Sequence, residues 1–223
     1  MNITQYKDGG KSVKTFSLSE LVDTMKDRAS GRAVEEFREK LEECPPGCPC
    51  PAASKLPRIV FGAEYRKKNG EMKMAAYNGL VLLEVGNLSG YTEATEVRRK
   101  AAGSLQTLLA FIGSSRKSVK IVVPFTLPDG SLPRNSELAG WFHAHAYQLA
   151  LNYYRMQLQR DIAFRQPVIE QSCRISYDPD LYYNPAAVPA TLEQPLQMPG
   201  EPTFRDVKQQ EPLPLQRMEA GHE

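Results

Sequence analysis

The chain is poor in the residues from which reactive sites are usually assembled. Its 223 residues include three histidines, one tryptophan and four cysteines. No Ser-His-Asp constellation, P-loop, HExxH motif or dinucleotide fingerprint is present, which excludes the commonest legible hydrolase, NTPase and dehydrogenase chemistries. No apolar run approaches the ~20 residues of a membrane span. The opening stretch MNITQYKDGGKSVK has no apolar secretion-signal core. A soluble, cytoplasmic protein with no membrane partner is expected. Net charge is only +2, so bulk charge selects no class of partner.

Histidine and cysteine are also badly spaced for metal. His143 and His145 lie two apart on a predicted helix, where side chains diverge by about 200°. Cys44, Cys48 and Cys50 form a CxxxCxC loop with prolines between them, and Cys173 stands alone. That spacing matches zinc motifs poorly and reads better as a tight loop of reduced thiols, with a zinc site using Cys173 as the fourth ligand as the alternative.

What is present is a foldable core and an uneven distribution of charge. Hydrophobic residues make up 41% of the chain and charged residues 24%. Between Ser54 and Lys120 there are 12 Lys and Arg against 5 Asp and Glu; from Asn184 onward there are 3 against 6. A basic core stretch and an acidic, Pro-rich tail suit a domain that faces a polyanion. The same cations also serve a reading in which they only solvate the surface.

The periodicities predict helices over LSELVDTMKDR and AVEEFREKLEE, ended by the Cys-Pro-Gly cluster. PRIVFGAEYR alternates as a strand, Asn69-Gly70 marks a type I′ hairpin turn, and LVLLEV is a buried strand. TEATEVRRKAAGSL is helical with Thr92 as the N-cap. TLLAFIGSS and SVKIVVPFTL are strands, NSELAGWFHAHAYQLALNYYRMQLQ is a long helix, and CRISYD is a last strand. The order predicts an α+β fold: a mixed, mostly antiparallel sheet with helices on one face. The expected organisation is an N-terminal helical extension over 1–53, an α+β domain over 54–188 and a Pro-rich tail over 189–223.

Three places carry candidate chemistry. Glu84 ends a buried strand, where a carboxylate suits Mg²⁺ or pairs with a nearby cation. Ser114, Ser115, Arg116, Lys117 and Ser118 fill a turn between two apolar strands, and Lys120 follows; hydroxyls, cations and free backbone N–H groups there suit phosphate. Arg174 and Asp178 lie at even spacing, i and i+4, along the last strand. Asp178 at its lip needs something to hold: a metal, a basic side chain or its own turn.

The stretches GLVLLEVGNL, AFIGSSRKSVKIVVPF and CRISYDPDLYYNP, in this order, resemble the N-terminal domain of virulence-associated protein E-like proteins of mobile elements. That domain in turn is similar to a divergent archaeo-eukaryotic primase-polymerase with an RRM-like core. The resemblance implies metal-binding, catalytic carboxylates at Glu84 and Asp178, with Mg²⁺ as cofactor. It implies phosphate contacts along Ser114 to Lys120. Gly86 stands where the family pattern has a second acid, with Asn87 beyond, and the turn has no histidine, so the acid set is thin for two metal ions. The expectation is a primase-like, catalytically degenerate module of a mobile-element replication protein that binds single-stranded DNA or RNA. Arg116, Lys117, Lys120 and Arg174 would carry binding, joined by Arg66, Lys67 and Lys68. Two alternatives stay open. One is a protein-interaction domain that docks a helicase-type ATPase through Tyr153, Tyr154 and the tail. The other is a Mg²⁺–nucleotide site built from Glu84, Asp178 and Asp180.

Overall fold

A computed structural model describes residues 1–7, 12–45 and 50–192. The expected Pro-rich tail therefore lies almost wholly outside the described residues, as does Cys48. Among the described residues no helix is long and apolar enough to cross a membrane.

The chain opens not with a helix but with a hairpin, β1 (Asn2–Lys7) and β2 (Ser12–Ser17), paired antiparallel from Asn2↔Ser17 to Lys7↔Ser12. The expected helices follow as α1 (Leu18–Lys26) and α2 (Arg28–Glu43). Ser17 and Glu20 form a capping box at the start of α1, and Asp27 caps α2 through Ser30 N–H. The helical-extension reading missed the hairpin because SVKTFS alternates over only six residues and adjoins a strong cap.

The strand expected over PRIVFGAEYR is divided into β3 (Arg58–Val60) and β4 (Ala63–Lys68). β3 pairs with β1 and with β9 (Ser172–Arg174), giving a four-stranded sheet in the order β2-β1-β3-β9. The N-terminal residues thus belong to the same sheet as the body of the chain. β4 turns back through Asn69 and Gly70, both at positive φ (54° and 84°), into β5 (Glu71–Tyr77). These are the backbone conformations that a type I′ turn demands.

The central sheet contains β6 (Leu80–Val85), β7 (Leu109–Ile112) and β8 (Val119–Thr126), with β6 and β7 both antiparallel to β8. Among the described residues two short strands join it: β10 (Tyr182–Tyr183) on β7, and β11 (Ala190–Thr191), which runs parallel to β8. The fold is α+β with a mostly antiparallel arrangement, as the sequence predicts.

Helices α3 (Tyr91–Ala102) and α4 (Ser136–Leu158) pack on the central sheet. α1 does not join them. Its Leu18, Leu21, Val22 and Met25 share a core with Ile3, Ile59, Leu80, Leu82, Phe111 and Val122. Side chains alternate along a strand, so this core lies on the face opposite α3 and α4, between the two sheets. The expectation of helices on one face is corrected accordingly. A two-layer pattern read from sequence had no place for a second sheet.

Candidate phosphate-binding site

Asp178 is 1% exposed and has a full set of partners. Arg98, from α3, donates to Oδ1. The N–H of Ile112, at the edge of β7, donates to Oδ2 at 2.8 Å, and the Asp178 N–H reaches the carbonyl of Met25 at 3.0 Å. Ser176 Oγ donates to the Ile112 carbonyl at 2.6 Å. Two side chains therefore supply the hydrogen bonds that a neighbouring strand would give this edge residue. Asp178 faces a basic side chain, but neither Arg174 nor Lys120. Arg174 is exposed and gives its Nε–H to Ala53 O at 2.8 Å. The strand itself stops at Arg174, four residues short of the acid.

Glu84 is equally occupied. Lys120, directly across the ladder on β8, places Nζ 2.6 Å from Oε1, and Arg165 places Nη2 2.8 Å from Oε2. Lys120 is buried there, beneath the surface expected to meet phosphate.

These carboxylates do not fit a resident divalent ion. A Mg²⁺ would have to replace two cations on Glu84 and a buried arginine on Asp178, each satisfied in its present pair. Among the described residues no group of three or more His, Cys, Asp or Glu side chains is arranged to hold a metal. Asp180 is exposed, and Gly86 adds no ligand. Cys173 is buried, opposite Ile59 in the β3–β9 register, and burial pushes its thiol up to about 11. His143 is buried against the Tyr77 hydroxyl (3.2 Å), and burial depresses it to about 4; the His145 Nδ1 stays within its own helix, 2.9 Å from Trp141 O.

The turn from Ser114 to Lys117 is where polar groups remain open. Gly113 and Ser118 close it: the Gly113 N–H donates to Ser118 O at 2.8 Å, and the Arg116 N–H to Gly113 O at 2.9 Å. A Cβ on Gly113 would lie 2.3 Å from Ser118 Oγ, so any side chain there would push the Ser118 hydroxyl aside. Ser118 is buried by this closure. Arg116 sits at φ 61°, a conformation that side-chain-bearing residues seldom adopt. Its guanidinium lies 5.7 Å from the Tyr91 ring centroid and 3.3 Å from Glu35. Its Nε is buried without a partner. Lys117 is exposed and makes no ion pair among the described residues.

The structure adds an element that the sequence did not place here. The N–H of Leu88 donates to Lys117 O at 3.1 Å, tying the β6–α3 loop to the turn. α3 therefore begins beside it, at Tyr91. Its N-cap is Gly90, not Thr92, and no side chain caps it. Glu93 instead turns back to the Ser89 N–H at 2.6 Å and is held by Arg160, which together draw its carboxyl down to about 2. The first-turn N–H groups of α3 are left to solvent or to an anion.

Of the sequence-predicted residues, the fold thus leaves Ser114, Ser115, Arg116 and Lys117 at one surface, buries Ser118, Lys120 and Asp178, and engages Glu84 and Arg174 in contacts of their own. Arg98, Arg38, Arg165 and Tyr91 were missed. Arg38 was findable: it shares the apolar stripe of α2 with Val34 and Phe37, and donates Nε–H to Ser114 O (3.0 Å) and Nη2–H to Tyr177 O (2.8 Å). Arg98 likewise interrupts the Ala94, Val97, Ala101 stripe of α3. A cation on a buried stripe signals a buried partner.

The model of one protein family, described as BT4734-like, N-terminal domain, matches residues 51–183, more than half of the chain. No curated protein and no solved structure matches.

Proposed function

The chain belongs to the BT4734-like N-terminal domain family, and on that premise we propose that its Ser114–Lys117 turn binds the phosphate backbone of single-stranded nucleic acid without catalysis. One observation carries the reading: the Leu88–Lys117 hydrogen bond holds the uncapped N-terminus of α3 beside Arg116 and Lys117. Helix N–H groups, a guanidinium and an ammonium are the three donors that phosphate recognition most often combines. Tyr91, half-exposed at the same place, offers a ring on which a base can stack.

The engaged carboxylates support a primase-like module that has lost the chemistry. Glu84 and Asp178 serve as counter-ions in the core, and a polymerising active site would need them free. The place proposed for such a module is a mobile-element replication protein, beside a helicase-type ATPase, in the cytoplasm.

The test is fluorescence titration of labelled single-stranded DNA and RNA with the whole chain, at a series of salt concentrations, with and without Mg²⁺ and nucleoside triphosphate. Binding that weakens with salt and is indifferent to Mg²⁺ is expected. Arg116→Ala with Lys117→Ala removes two phosphate contacts and reduces the log–log salt slope by about 1.4. An unchanged slope and affinity in that double variant refutes the assignment.

A further inference from the structure

A second surface, at the other end of α3, is apolar where the first is polar. On α4, Leu149, Tyr153 and Met156 are exposed at i, i+4 and i+7, the spacing of one helix face; Met156 is 80% exposed. The patch continues off the helix. The Tyr153 hydroxyl donates to Ser104 Oγ at 3.1 Å, Leu105 next to it is 76% exposed, and the N–H of exposed Val188 bonds Leu105 O at 3.0 Å. Five large apolar side chains are thus brought together by α4, the α3–β7 loop and the β10–β11 loop. A contiguous apolar patch with a polar rim marks an interaction site, whereas singly scattered apolar residues do not.

The rim is basic. Gln157, adjacent to Met156, donates to Lys100 O at 3.2 Å and so brings the end of α3 to the patch. Arg99 and Lys100 are exposed there and form no ion pair among the described residues. Glu96, one turn back, is the acid on that side of α3, since Glu93 is taken by Arg160. Two copies of this surface would oppose cation to cation, which disfavours self-association.

We infer that this face is a docking surface for an acidic amphipathic helix of a partner protein. Such a helix lays its apolar ridge along Leu149, Tyr153 and Met156 and sets its carboxylates against Arg99 and Lys100. α3 is 12 residues long, or roughly 18 Å at 1.5 Å per residue. Its N-terminus faces the phosphate turn and its C-terminus faces this patch, so a docked partner leaves the turn open. The inference does not depend on what binds at the turn.

The experiment uses two labelled helical peptides with the same leucine stripe, one with glutamates on its polar face and one with lysines, titrated with the whole chain. The glutamate peptide is expected to bind at least tenfold tighter. Met156→Asp, at a position too exposed to affect folding, abolishes its binding. Arg99→Glu with Lys100→Glu reverses the preference; a thermal melt checks that each variant is folded. Equal binding of both peptides, or binding of neither, overturns the inference. So does a dimer in sedimentation that Met156→Asp dissolves, because the occupant is then a second copy.

Discussion

Replacing Asp178 with alanine tests the structural account most directly. The side chain is 1% exposed, and it neutralises Arg98, whose own side chain is about 10% exposed. Its removal leaves a buried guanidinium without a counter-ion and strands the edge N–H of Ile112, which now has a 2.8 Å bond. Breaking one side of a buried ion pair costs about 3–5 kcal/mol, and the orphaned N–H adds about 1–3 kcal/mol. For a chain of this size each kcal/mol lowers Tm by roughly 2–4 °C. A fall of at least about 8 °C is therefore expected, read by circular dichroism or calorimetry. Arg98→Met combined with Asp178→Leu should recover part of the loss, because an apolar pair needs no mutual neutralisation. Adding Mg²⁺ or EDTA to the parent protein should leave Tm unchanged. A metal-holding Asp178 makes opposite predictions: the alanine variant would keep its stability or gain some, and EDTA would lower Tm. A shift below 2 °C for Asp178→Ala, or an EDTA effect, refutes the buried-pair reasoning.

The core histidine gives a pH test. Burial holds His143 at about 4 instead of its ordinary 6.5, so the unfolded chain binds a proton that the folded chain refuses between those values. Stability is full above pH 6.5 and falls through that window as pH drops, by on the order of 3 kcal/mol in total. Urea titrations across pH should show this slope flattened in His143→Gln. Tyr154→Phe removes the hydroxyl that shares a 2.6 Å bond with Thr107 in the core and should cost about 1 kcal/mol in the same assay. Glu84→Ala should destabilise the fold and not spare it as a catalytic deletion would, since it deprives buried Lys120 of its 2.6 Å partner.

Much of the α+β body was legible because its signals are local. The Asn69-Gly70 turn and the four-residue run of buried aliphatics from Leu80 to Leu83 each follow from neighbours in sequence. Tyr154 shows where that stops. Its ring is fully buried while adjacent Tyr153 is exposed, and only the packing of α4 on α3 and the sheet makes one an interior and the other a surface residue.

The site residues divide in the same way. By itself the sequence determined that a polar, basic turn would lie between two buried strands, because apolar runs fix the strands and Ser, Arg and Lys must occupy what joins them. Tertiary structure decided which of those cations would be available. Lys120 lies across from Glu84 by the register of β6 on β8, Asp178 meets Arg98 across 80 positions, and Leu88 brings α3 to the turn by one backbone bond. The reason is the range of the interactions. Hydrophobic periodicity and capping act over a few residues and are written along the chain, whereas a charge finds its partner through space, and that partner is set only once the sheets have packed.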